Sequence, residues 1–214
     1  MLKGANMVIS FLNQKGGVGK TTVSFNVVCE LASRGKKVLF VDSDLQGSAS
    51  LLNEARESDL GFPIVSIANP SINKAVQQIK ADYEYIVIDG IPSISKITQS
   101  TILASDVVVI PMQPSGVDVW ATESLIEMVD AARVLNPDVV VGIVLNRFDG
   151  NRVLAKGILD MVEQTDWQVF DTAIGNRAVF QKSVTYGKSV AELERNGKAD
   201  MEIKSLVDEI LALE

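Results

Sequence analysis

Short apolar runs rich in valine and isoleucine alternate along this chain with longer stretches whose apolar residues recur every three or four positions. The runs at 7–12, 37–42, 83–89, 106–111 and 139–147 lack the in-out alternation of a half-solvated sheet, so they read as strands buried on both faces. Residues 61–66 read as a short edge strand and 167–174 as a short terminal one. Helical spacing covers 23–33, with Phe25, Val28, Leu31 and Ala32 on one face, and 71–81, with Ile72, Ala75, Val76 and Ile79 inward. It returns at 118–135, at 153–162, and at 199–213, where Ile203, Leu206, Val207, Ile210 and Leu211 share a face. Arg34-Gly35-Lys36 supplies a stop for the first helix. Strand, helix and strand within residues 7–42 predict a right-handed crossover. The fold class is therefore α/β, a doubly wound, mostly parallel twisted sheet of about seven to eight strands flanked by helices.

Between the first run and the first helix stands Asn13-Gln14-Lys15-Gly16-Gly17-Val18-Gly19-Lys20-Thr21-Thr22. Gly16, Gly17 and Gly19 allow successive backbone N–H groups to converge on an anion at a helix N-terminus. Lys20 follows them in position to meet the β- and γ-phosphates of a nucleotide, and Thr21 offers a hydroxyl to Mg²⁺. In an open α/β sheet the carboxyl ends of the strands line the ligand crevice, and there the sequence places Asp42, Asp44 and Asp89. Asp89 closes an apolar strand, the Walker B arrangement that holds the water shell of a magnesium ion. Taken alone, Asp42 suits a polar strand end and Asp44 a cap of the next helix as well as the pair suits a ligand site.

Composition narrows the setting. With 214 residues, 47% of them hydrophobic and 22% charged, the chain is expected to form a single domain spanning 1–214. Its net charge of −7 would repel nucleic acid and anionic lipid on average, so any DNA contact has to come from a local patch. Arg177, Lys182 and Lys188 form a basic cluster without acidic neighbours in sequence, which also suits an ordinary solvated face. Cys29 is the sole cysteine and histidine is absent, which excludes an internal disulfide and argues against structural zinc. No apolar stretch approaches the length of a membrane span and residues 1–6 carry no signal-peptide core, so a cytoplasmic protein is expected.

A second lysine ahead of the glycines, Lys15, has no task in a general phosphate loop, and Gln14 stands where such a loop has its first glycine. Lys15-Gly16-Gly17-Val18-Gly19-Lys20-Thr21-Thr22 resembles the deviant Walker A box of the ParA/MinD superfamily of ATPases, nearest to small ParF-like partition ATPases without an N-terminal helix-turn-helix. That resemblance implies a P-loop NTPase fold, ATP as substrate with Mg²⁺, and a homodimer formed on ATP binding in which Lys15 contacts the nucleotide of the other subunit. Asp42-Ser43-Asp44-Leu45-Gln46-Gly47 resembles the family's Asp-x-Asp-Pro-Gln-Gly segment, with Leu45 in place of proline. It implies that Asp44 activates the attacking water and that Asp42 supports the metal. Gly90-Ile91-Pro92-Ser93 resembles the switch segment, and Asn146-Arg147 the pair whose first residue reads the adenine edge. The region of Arg177, Lys182 and Lys188 resembles the stretch that binds DNA without sequence preference and supplies part of the adenine pocket, although Val179 stands where relatives often carry an arginine. Trp120 falls where relatives form the dimer interface. The implied function is partner-stimulated ATP hydrolysis at the nucleoid, with a ParB- or ParG-like centromere-binding protein or another adaptor, in plasmid or chromosome segregation. Division-site, carboxysome or chemoreceptor-array positioning is the alternative. The last helix carries Glu202, Asp208, Glu209 and Glu214 on its expected outer face, unlike a basic membrane-binding tail.

Overall fold

The buried apolar runs pair in parallel. The computed structural model describes residues 6–44, 52, 54–56, 59–113, 116–150, 162 and 165–213. Its strands are β1 (Met7–Phe11), β2 (Val38–Asp42), β3 (Ile64–Ser66), β4 (Tyr85–Asp89), β5 (Val107–Met112), β6 (Val140–Phe148), β7 (Gln168–Val169) and β8 (Ile174–Gly175). They form an 8-stranded sheet in the order β3-β2-β4-β1-β5-β6-β7, with β8 also paired to β6. The chain builds one half of the sheet on one side of β1 and then crosses to the other side with β5. The loop after β1 therefore opens at the switch point, where α/β sheets hold their ligands.

Register fixes what meets there. Phe11 of β1 and Asp42 of β2 are both direct partners of Asp89 on β4, so these three strands end on one line. Both faces of the sheet are covered, which is why the strands carry continuous apolar runs. Ile9, Phe11, Phe40, Val87 and Val109 pack with α1 (Lys20–Ser33) and the last helix. Val8, Leu39, Val41, Ile86 and Ile88 pack on the opposite side with Ile72 and Val76 of α2 (Ile72–Ile79). Val108, Ile110 and Met112 meet Ile102 of α3 (Lys96–Ala104) and Leu125 and Val129 of α4 (Gly116–Arg133). Pro111 lies in the interior strand β5 but beyond the last pair with β1, and its carbonyl instead accepts from the Asn13 side chain. The missing proline N–H thus costs no ladder bond. Helix α1 stops at Gly35, φ 76°, where the N–H groups of Gly35 and Lys36 donate to Ala32 and Leu31 in a Schellman arrangement.

Two sequence expectations change here, and one helix is added. Helix α3 has no strong apolar stripe and was not anticipated; Ser95 caps it by accepting from the Thr98 N–H, and Thr98, Ser100 and Thr101 are buried along it. The single strand expected at 167–174 is two short ones. The first ends at Val169, and the connection before β8 is held by Glu209, which accepts from the N–H groups of Asp171 and Thr172. The acidic outer face expected on the last helix, α7 (Lys198–Leu211), is engaged within the protein: Glu202 holds Arg177 and Asp208 holds Arg34. Helices α5 (Ala178–Tyr186) and α6 (Val190–Leu193) precede α7, and a 3-10 turn, Lys80–Asp82, follows α2. The Trp120 side chain and the helix expected at 153–162, apart from the buried helical residue Val162, lie outside the described residues.

Gly142 on β6 tests this packing. A Cβ there would lie 2.5 Å from the ring of Phe170. Gly142→Ala is expected to lower the unfolding free energy by about 1–3 kcal/mol through overpacking, read from denaturant midpoints at constant m-value.

Candidate functional site

The loop after β1 is clamped from both sides before any ligand enters. Asn13 donates through Nδ2 to the Pro111 carbonyl at 2.9 Å and accepts the Lys15 N–H through Oδ1 at 3.0 Å. Gln113 donates to the Gly17 carbonyl at 3.1 Å. Gly17 and Gly19 adopt φ of 76° and 100°, and at Gly19 a Cβ would also collide with the Asn146 amide. The left-handed turn therefore needs glycine on two grounds. Lys20, only 7% exposed, points its ammonium back to the Lys15 carbonyl at 3.2 Å. Burial pulls the Lys20 pKa below the usual lysine range, and the nearby Asp89 and Asp44 carboxylates oppose that shift.

Directly beneath, the Thr21 hydroxyl donates to Asp89 Oδ2 at 2.6 Å. The other carboxylate oxygen, Oδ1, is buried with no hydrogen-bond partner among the described residues. Burial pushes the Asp89 carboxyl up to about 7; the Thr21 hydrogen bond opposes this, and the adjacent Asp42 carboxylate reinforces it. Asp42 is fully buried and its Oδ1 accepts the Asp44 N–H at 2.9 Å. Ser43 ties this loop to β4 by donating from both its N–H and its hydroxyl to the Asp89 carbonyl. An orphaned carboxylate oxygen, a second carboxylate and a hydroxyl at one point form a hard oxygen donor set, and they fit Mg²⁺. Thr21, Asp89 and Asp42 would hold the ion, which when bound draws off negative charge as the terminal phosphoryl leaves.

Beside the loop opens a cavity of about 310 Å³, lined by Gly19, Thr22, Asn146, Arg147, Arg177, Phe180, Val184 and Thr185 among others. Its size suits a nucleobase and sugar. β6 reaches it through a bulge at Asn146 and Phe148, where Arg147 takes φ 53°. This aims Asn146 under the loop: its Nδ2 donates to the Val18 carbonyl at 2.6 Å, and its Oδ1 accepts the Arg147 N–H at 2.9 Å. The residue expected to read adenine thus also braces the phosphate loop.

The expected basic cluster divides. Lys182 and Lys188 are exposed. Arg177 is not without an acidic neighbour: its guanidinium pairs with Glu202, and it lines the cavity wall. That pairing joins residues 25 apart in sequence and could not be read from local charge.

A family model for the CobQ/CobB/MinD/ParA nucleotide binding domain matches residues 9–199, from β1 to the start of α7. The chain belongs to this family. Among relatives of the CobQ/CobB/MinD/ParA domain, Maintenance of carboxysome distribution protein A of Halothiobacillus neapolitanus is 29% identical over 215 residues, covering 99% of each chain. Chromosome-partitioning ATPase Soj of Thermus thermophilus is 27% identical, covering 99% of this chain and 98% of the relative. The septum site-determining protein MinD of Pyrococcus horikoshii, solved with Mg-ADP, superposes with a TM-score of 0.77 at 19% identity over 95% of both chains, a likeness of fold. Membership in the ParA/MinD group of P-loop ATPases agrees with the parallel sheet described above.

Local sequence marks neither Asn13 and Gln113 as loop clamps nor Ser43 as a tie, whereas Phe180, Val184 and Thr185 of the cavity wall fall in the stretch expected to supply part of the adenine pocket. Of the clamps and the tie, Asn13 alone carried a signal, a short polar side chain at a strand end. No helix among the described residues is long and apolar enough to cross a membrane.

Proposed function

We propose that this protein is a ParA-type positioning ATPase whose ATP-bound form is a face-to-face dimer that holds nonspecific DNA. The reading is carried by one observation: Thr21 and Asp89 are already paired at 2.6 Å under Lys20, with a buried Asp89 oxygen left over for a metal's coordination shell. In this reading Gly16, Gly17, Val18, Gly19, Lys20, Thr21 and Thr22 take the phosphates, and Asn146 and Arg147 border the base. Asp44 orients the water, and Lys15 reaches the triphosphate of the opposite subunit. Two copies of Lys182 and Lys188 then act together on DNA phosphates, and a partner protein stimulates hydrolysis and so releases the complex. The site also suits segregation of a DNA molecule through a centromere-binding protein. The end-to-end match with a carboxysome distribution protein favours a proteinaceous cargo held by an adaptor.

Retention of a random duplex at rising salt tests the reading. Binding is expected with ATP and Mg²⁺ and not with ADP. The Lys182→Ala, Lys188→Ala double variant should flatten the salt slope by about 2 per subunit, and Arg177→Ala should leave it unchanged because Glu202 already engages that guanidinium. DNA retention that is indifferent to nucleotide would overturn the switch.

A further inference from the structure

The helix that follows the phosphate loop carries a fully buried amide that no step above uses. Asn26, 1% exposed on α1, donates from Nδ2 to the Thr22 carbonyl at 2.8 Å and to the Ser183 hydroxyl at 3.0 Å. Its Oδ1 accepts the Val190 N–H at 2.8 Å, the first residue of α6. Ser183 is itself fully buried on α5, and its carbonyl accepts the Lys188 N–H. One amide therefore ties α1 to α5 and to the start of α6, with every donor and acceptor of the side chain in use. A leucine would fill the same space, but it would not fix the separation and rotation of two helices as a satisfied polar network does.

The position of this tie matters. Thr22, the carbonyl partner, lines the 310 Å³ cavity from α1, while Phe180, Val184 and Thr185 line it from α5. Asn26 sits one turn below the cavity floor and joins its two walls. We infer that Asn26, with Ser183, is a positioning residue that sets the width of this cavity and thereby the affinity for the base, without bearing on the phosphates. The inference rests on the reading of the cavity as the base site.

The test compares Mg²⁺ complexes of ATP, GTP and inorganic tripolyphosphate by calorimetry. For Asn26→Leu the ATP dissociation constant should rise about tenfold and the ATP-to-GTP ratio should change, while tripolyphosphate stays within about twofold. Ser183→Ala keeps the Asn26 bonds to Thr22 and Val190, so it guards against a folding defect; it should shift ATP in the same direction by about threefold. Equal losses for ATP and tripolyphosphate, or no loss for either, would overturn the inference. Wild-type protein that binds tripolyphosphate as tightly as ATP would overturn it too, by removing the base from the cavity. Wild-type protein that binds none of the three would instead defeat the proposed function.

Discussion

Lys15→Ala is expected to lower partner-stimulated ATP turnover by about 10³–10⁵-fold, the range associated with a cation delivered to a transferring phosphoryl group. The structure explains why this loss should be separable from binding. Two of the bonds that shape the loop use the Lys15 main chain: its N–H donates to Asn13 and its carbonyl accepts from Lys20. Alanine keeps both bonds, so the loop should hold its shape and a single subunit should bind ATP within about threefold of wild type. Phosphate release measured beside ATP binding decides the matter. Turnover at the wild-type rate would end the trans role of this side chain; binding lost in proportion to turnover would move its action to the subunit's own nucleotide.

Asp89→Asn should separate stability from chemistry. In the metal-free protein the carboxyl is pushed from 3.8 to about 7, chiefly by burial. Between those values the folded state binds more protons than the unfolded state, so this group's contribution to stability falls as pH rises toward 7. It is most favourable below about pH 4, where both states are protonated. The amide variant lacks that slope and should be the more stable protein at pH 8 without metal, by a few kcal/mol at most. Wild type should recover when Mg²⁺ is added, and Asp89→Asn should not. Hydrolysis should fall by roughly 10³-fold, since a metal supplies several kcal/mol of charge stabilisation. Thermal unfolding at pH 5 and pH 8, with and without Mg²⁺, reads the first part and phosphate release the second. An Asp89→Asn protein still stabilised by Mg²⁺ would place the ion elsewhere.

The centre of the sheet and the phosphate loop were legible because their signals are local. A strand buried on both faces needs an unbroken apolar run, and a left-handed turn at Gly19 under a brace needs a residue with no side chain. Asp89 was legible for the same reason, as a charge at the end of Tyr85–Asp89. Local signal fails where partners are distant. Helix α3 is built on a Ser95 cap and buried hydroxyls rather than an apolar stripe. The expected strand at 167–174 gives way where Glu209, on the last helix, takes the backbone N–H groups of Asp171 and Thr172. Arg177 reads as a free cation until the fold brings Glu202 against it. Asn146 stands at a strand end in the sequence, yet its contact with Val18 spans 128 residues and is visible only in three dimensions.

The alignment of Phe11, Asp89 and Asp42 across three neighbouring strands has a practical corollary. Side chains alternate faces at every step along a strand, so a slip of one residue in β2 or β4 would throw one carboxylate to the far side of the sheet. Misthreaded molecules would keep near-native helix content and still lack the carboxylate pair proposed to hold magnesium. For this chain, metal-dependent nucleotide capture is therefore a stricter assay of refolding quality than circular dichroism.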